Sequence, residues 1–167
     1  MKVLSSTKTF AVAFALALAA GHISQIRAQQ HGGRGLPPEA REQIQVLFES
    51  HDRIRREVSL RPDGYTATTE SDDPKVAAAL KSHTRQMGLR LESGLSVRRW
   101  DPAFAEYCDH YGELKHEFTA TEKGVSMIVT GTNPRAIKIA QNHAKVVSAF
   151  ALNGWSEHGK EHTIAPR

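Results

Sequence analysis

Residues 139–154 read IAQNHAKVVSAFALNG, and 60 positions upstream residues 79–94 repeat their layout as ALKSHTRQMGLRLESG. In that register Gly64 meets Gly124, Pro74 meets Pro134, His83 meets His143 and Gly94 meets Gly154. Glu57 lands on Glu117, while Ile54, Val58 and Lys75 meet Leu114, Phe118 and Arg135. At an offset of 59, Phe48 and His51 meet Tyr107 and His110. Few identities recur. What recurs is residue types with positional jobs: glycine for unusual backbone, proline for a helix start, histidine for proton or ligand chemistry. The chain reads as two copies of one unit of roughly 50 residues, the length range of known structural repeats.

The patterning around that stretch sets the expected elements. From Glu39, the residues Ile44, Leu47, Phe48, His51, Ile54 and Val58 recur at steps of three and four, which predicts one face of an amphipathic helix. Arg61-Pro62-Asp63-Gly64 is a turn signal and Tyr65 to Glu70 (YTATTE) a strand, with Glu57 to Leu60 as its possible partner. Asp73-Pro74 predicts a capped helix start. The stripe Val76, Ala79, Leu80, His83, Met87 and Leu91 runs from there to a stop at Gly94. The second copy follows suit. Asp101-Pro102 starts a helix with Phe104, Tyr107, His110 and Leu114 on one face, Val125 to Thr130 (VSMIVT) is a strand, and Asn133-Pro134 starts a last helix. That helix carries Ala136, Ile139, Ala140, His143, Val147 and Phe150 on one side and ends at Gly154. The expected fold is α+β: two tandem helix-strand-strand-helix units related by a pseudo-twofold, with helices packed on a small antiparallel sheet.

The same reading divides the chain. Residues 1–28 have a basic start and an apolar run of twelve, Thr9 to Ala20 (TFAVAFALALAA). That is the layout of a secretory signal, too short to span a bilayer about 30 Å thick. Cleavage is expected after Ala28, with Ala20 as the second site and a retained anchor as the competing outcome. Residues 29–38 are a flexible lead-in, 39–94 and 103–154 the two units, 95–102 their linker and 155–167 a polar tail. The expected location is therefore the periplasm or the exterior, with no membrane span after cleavage.

Charge and cysteine content exclude several classes. Of 22 basic residues, Lys2, Lys8 and Arg27 belong to the signal, leaving 19 against 18 acidic residues. A balance near neutrality argues against nucleic-acid binding. Cys108 is the only cysteine, so there is no intrachain disulfide, no covalent c-type haem through CxxCH and no Cys-rich zinc site. No nucleophile elbow, P-loop or dinucleotide fingerprint is present, and Cys108 and His110, at i and i+2, do not face each other on a helix.

The chemistry is carried by histidines. His51, His83, His110 and His143 all fall on apolar stripes, where a buried imidazole without a partner costs roughly 1–3 kcal/mol. Four of them at two matched positions point to a shared metal ion or haem. Read blandly, they are core residues of a non-catalytic ligand-binding or interaction module. Imidazoles among aliphatic neighbours suit a b-type haem, or a transition metal, copper or iron before zinc, with Met87 as a soft ligand. A hydrolytic zinc site fits less well, since neither HExxH nor a general base accompanies them. His158 and His162, at i and i+4, add a further ligand pair if the tail is helical and are solvated if it is not. Cleavage after Ala28 would leave Gln29-Gln30-His31 as a terminal copper or nickel site. Arg98-Arg99-Trp100 reads as a connector pinned by its tryptophan, or as an arginine pair for a haem propionate.

The segments HDRIRREV, TESDDP, VRRWDPAFAEY, HAKVVSAF and EHGKEH resemble a family of small secreted bacterial proteins with a twin-histidine repeat. The resemblance spans nearly all of the chain beyond the signal. It implies export and duplication and supplies no catalytic residue. The expected function is electron transfer, carriage or sensing by a bound metal or haem, with a redox partner or metal donor in the periplasm. Catalysis is expected only if a haem keeps an open coordination position.

Overall fold

Three aspartate- or asparagine-proline pairs set the helix starts, as the patterning requires. The Asp73 carboxylate accepts from Lys75 and Val76 N–H and opens a helix over Pro74–Glu92. Asp101 accepts from Ala103 N–H ahead of Pro102–Asp109, and Asn133 from Ala136 N–H ahead of Pro134–Asn153. In each case a side-chain oxygen satisfies a backbone donor that the first turn leaves free, and proline occupies a position that needs no N–H. The computed structural model describes residues 35–167, of which Leu36–Arg167 form one compact unit. The signal, most of the lead-in and the Gln29-Gln30-His31 site lie outside the described residues.

In chain order the elements are α1 (Pro38–Glu49), β1 (Arg55–Arg61), β2 (Gly64–Glu70), α2 (Pro74–Glu92) and α3 (Pro102–Asp109). They continue as β3 (Leu114–Ala120), β4 (Gly124–Gly131), α4 (Pro134–Asn153) and the short α5 (Trp155–His158). The fold is α+β, with one four-stranded antiparallel sheet in the order β1-β2-β4-β3. Among the described residues no helix is long and apolar enough to cross a membrane.

The first helix is shorter than its spacing predicts. It stops at Glu49, a single 3-10 turn covers His51–Arg53, and Ile54 and Val58 lie in extended chain. The stretch from Pro102 departs likewise: α3 ends at Asp109, and Leu114 opens β3 instead of extending a helical face. Val58 pairs with Ala67 and Leu114 with Gly131, so ladder hydrogen bonds override the helical period.

The two central strands meet with Ala67 opposite Met127. Strand alternation then puts Tyr65, Ala67, Thr69, Val125, Met127 and Val129 on the face that the helices cover. Thr66, Thr68, Ser126 and Ile128 take the other face. Two glycines lock the central pair. A Cβ at Gly64 would stand 1.9 Å from the Val129 carbonyl oxygen, and one at Gly124 2.1 Å from that of Thr69. The core consists of three apolar clusters. Tyr65, Val129, Ile139 and Ala140 anchor the first, Leu47, Val76 and Leu80 the second, and Ala103, Val146 and Phe150 the third.

Beyond Gly154 the chain is held to the body and is not a solvated tail. Ala165 is buried, its N–H donates to Glu106, and Arg135 donates to the carbonyls of Ala165 and Pro166. Trp155 is half exposed.

Candidate functional site

A cavity of about 310 Å³ opens among the three clusters, and each of them contributes to its wall. Ile44, Leu80, Leu91, Val147 and Phe150 give it a mainly apolar lining. That size lies at the small end of ligand pockets, which span roughly 300–1,000 Å³. The polar residues lining it are Arg56, Arg98, Thr69, Thr84, three tyrosines, Cys108 and the histidines His83, His116, His143 and His158. Among the described residues no carboxylate lines it.

Helical spacing brings His83 and Met87 to the cavity from α2, and His143 and Val147 from α4. The Nδ1 atoms of His83 and His143 are enclosed and have no hydrogen-bond partner. Among the described residues neither Nε2 has a partner, neither is enclosed, and both rings line the cavity. Burial lowers His83 from the usual histidine range to about 4. Burial also lowers His143, to about 3, with Arg56 and His116 adding to the shift and Asp101 opposing it. Both rings are half-buried by accessible area yet fully desolvated, the pattern of side chains whose remaining exposure is to an internal space. They are neutral near pH 7.

A second layer fixes His143. Tyr107 stacks on it with ring centroids 3.7 Å apart, and Phe104 meets it edge-on at 5.4 Å. The Tyr107 hydroxyl lies 2.7 Å from His116 Nε2. Burial pushes the Tyr107 phenol well above its usual range, so it keeps its proton. Burial lowers His116 to about 4, so it is neutral near pH 7, and its tautomer sets which of the two groups donates.

The other expected ligands are dispersed. His51 sits in the 3-10 turn against Gly154 and lines a shallow surface pocket with Phe48, Leu152 and Trp155. His110 is the C-cap of α3, and its Nδ1 meets Glu113 at 2.7 Å. His158 reaches the cavity beside Phe48, whereas His162 lies between two carboxylates, Nδ1 2.7 Å from Asp101 and Nε2 3.0 Å from Glu157. The i, i+4 pair is therefore split. The arginine pair is split as well. Arg98 lines the cavity but is bound to Asp101 and to the carbonyls of His158 and Lys160, and Arg99 pairs with Asp109 at the surface.

Two cavity residues escape the helix-based reading, His116 on β3 and Arg56 on β1. The alternation Leu114, His116, Phe118 is the signal that finds the first, since period 2 puts all three on one face of the sheet, buried at Leu114 and opening to solvent at Phe118. Among the described residues no three His, Cys, Asp or Glu side chains come together to hold a bare metal ion. A haem needs only one or two imidazoles with a free nitrogen in an apolar space, and His83 and His143 meet that description. No protein-family model matches the chain, and comparison with curated proteins and with solved structures finds no match.

Proposed function

We propose that this is an exported protein that binds b-type haem in the cavity, with His83, His143 or both as iron ligands, for electron transfer, carriage or sensing. The observation that carries the reading is the pair of neutral imidazoles, each with a free Nε2, that line one carboxylate-free apolar space. The enclosed Nδ1 of each ring stays unpaired with or without iron, so what coordination would add is a partner for each Nε2. Met87, one turn from His83 and lining the same cavity, is a further residue that would hold the iron. When bound, the haem would supply redox or gas-ligand chemistry, while Tyr107 and Phe104 hold the His143 ring in place and the aliphatic wall excludes water.

The tandem duplication is part of this proposal. Arg56 pairs with Thr69 and His116 with Val129, so positions 60 apart hold equivalent places in the ladder. The close approaches of Gly64 to Val129 and of Gly124 to Thr69 repeat at the same offset. His83 and His143 would then be one ancestral position used twice.

The test is to purify the untagged chain from a periplasm, record its spectrum, and titrate any empty fraction with haemin. A Soret band that weakens in His83→Ala and His143→Ala and vanishes in the double variant is the expected result. A chain that stays empty ends the haem reading. A second reading, an apolar organic ligand hydrogen-bonded by the two Nε2 atoms, is favoured by one detail. Iron-bound histidines normally donate Nδ1–H to an acceptor, and these two have none.

A further inference from the structure

Arg56 is a cavity cation without a counter-charge. Its guanidinium donates from Nε to Ser148 Oγ at 3.2 Å and from Nη1 to Thr69 Oγ1 at 2.6 Å, while Nη2 is enclosed and bonds to nothing. Neither hydroxyl carries charge, and among the described residues Arg56 makes no ion pair. Tyr65, the acidic group that acts on the guanidinium, is pushed up to about 12 by burial, so near pH 7 it offers a dipole and no negative charge. Burial lowers Arg56 itself below the ordinary arginine range, yet arginine does not shed its proton in proteins. The contrast with Arg98 is instructive. That second cavity arginine is neutralised by Asp101 and stacks on Trp100 at 4.3 Å. A charge placed in an apolar wall with only neutral partners is costly unless something arrives to pair with it.

We infer that Arg56 is the anchor for a carboxylate carried by the cavity's ligand, so that the site selects apolar acids over their neutral counterparts. The inference rests on the cavity being a ligand site, as proposed above, but not on that ligand being haem. A haem propionate and the head of a long-chain fatty acid present the same group. Either would form a charge-assisted pair with the Arg56 guanidinium, which must shift to bring the enclosed Nη2 to the ligand, while its hydrocarbon part fills the space under His83 and His143.

The experiment measures four affinities by fluorescence quenching on the full chain: haemin, its dimethyl ester, cis-parinaric acid and its methyl ester. Each is repeated on Arg56→Gln and Arg56→Lys, with thermal unfolding to show that both variants are folded. The expected result is that acids bind more tightly than esters by roughly tenfold to a hundredfold, the worth of a hydrogen bond to a charged group. Arg56→Gln should abolish that preference and Arg56→Lys restore part of it. Esters binding as well as acids, or an acid preference that survives in a folded Arg56→Gln, overturns the inference. Parinaric acid binding with an Arg56-dependent preference while haemin fails would uphold the anchor and end the haem reading. Failure of both acids to bind overturns both.

Discussion

Tyr107 lies flat on His143, ring centroids 3.7 Å apart and planes within 18°, and its hydroxyl reaches across to His116 Nε2 at 2.7 Å. One side chain from α3 thus holds a histidine of α4 by stacking and a histidine of β3 by hydrogen bonding. The two bonds can be separated by substitution. Tyr107→Phe keeps the stack and removes only the hydroxyl, which should cost about 1–2 kcal/mol because it leaves His116 without its partner. Tyr107→Leu forfeits the stack as well and should cost about another 0.5–1.5 kcal/mol. Urea unfolding of the three proteins checks the order. Equal stabilities for Tyr107→Phe and the parent would mean that the hydroxyl contributes nothing.

Gly154 separates backbone strain from contact. It has φ +53°, and a Cβ there would stand 2.3 Å from His51 Cδ2 and 2.6 Å from the Phe48 carbonyl oxygen. Gly94 has φ +76° with nothing within 4 Å. Gly94→Ala should therefore cost about 1 kcal/mol from the left-handed backbone alone. Gly154→Ala should add the overlap with α1 and its turn, for a total of about 3 kcal/mol or more. Comparing the two midpoints in one denaturant series tests the difference.

Much of this fold is legible in the sequence where the determinants are local. Asp73-Pro74, Asp101-Pro102 and Asn133-Pro134 start helices because the capping oxygen and the proline ring act within three residues. Ile54 and Val58 mislead because a spacing of four satisfies a helix and a strand alike, and only pairing with Ala67 decides. His83 and His143 reach the cavity because a helical stripe does face the core. His51 and His110 do not, since the chain leaves the helix at the very turn where they stand. Arg56 gives no helical signal, and the i, i+4 spacing of His158 and His162 misleads because the helix ends at His158. Arg56 is placed by a ladder to Thr69 and His162 by Asp101, 61 residues away.

That distant contact makes Asp101 the residue on which the chain's end depends. Its side chain is fully buried, caps α3 through Ala103 N–H, accepts from His162 N–H and Nδ1, and pairs with Arg98. Burial alone would raise its carboxyl, but the donors of His162 and Arg98 outweigh that and hold it below the usual range. Asp101→Ala should cost about 3–5 kcal/mol, because it strands Arg98 beside an empty site. Limited proteolysis should then cut after Gly154, where the parent chain resists. An uncut tail in a folded Asp101→Ala would show that Arg135 and Glu106 suffice to hold it.

Acid should loosen this protein before its carboxylates titrate. His83, His116 and His143 are lowered from an ordinary value of 6.5 to about 4, about 4 and about 3, in each case chiefly by burial. A histidine whose folded value is depressed binds more protons when unfolded. Stability is therefore full above pH 6.5 and falls as the pH drops through the window from 6.5 toward 4. The lowered carboxylates Asp63, Asp73 and Asp109, held down chiefly by hydrogen bonds to Arg61, Lys75 N–H and Arg99, act below their unfolded value of 3.8, in a separate window. Urea midpoints measured between pH 7 and 4.5 should decline for the parent chain. The decline should be shallower in His83→Leu and shallower still in His83→Leu/His143→Leu, where two of the three desolvated rings are gone. A parent chain equally stable at both ends of that range would mean that these imidazoles are hydrated and that the cavity is not the dry space described.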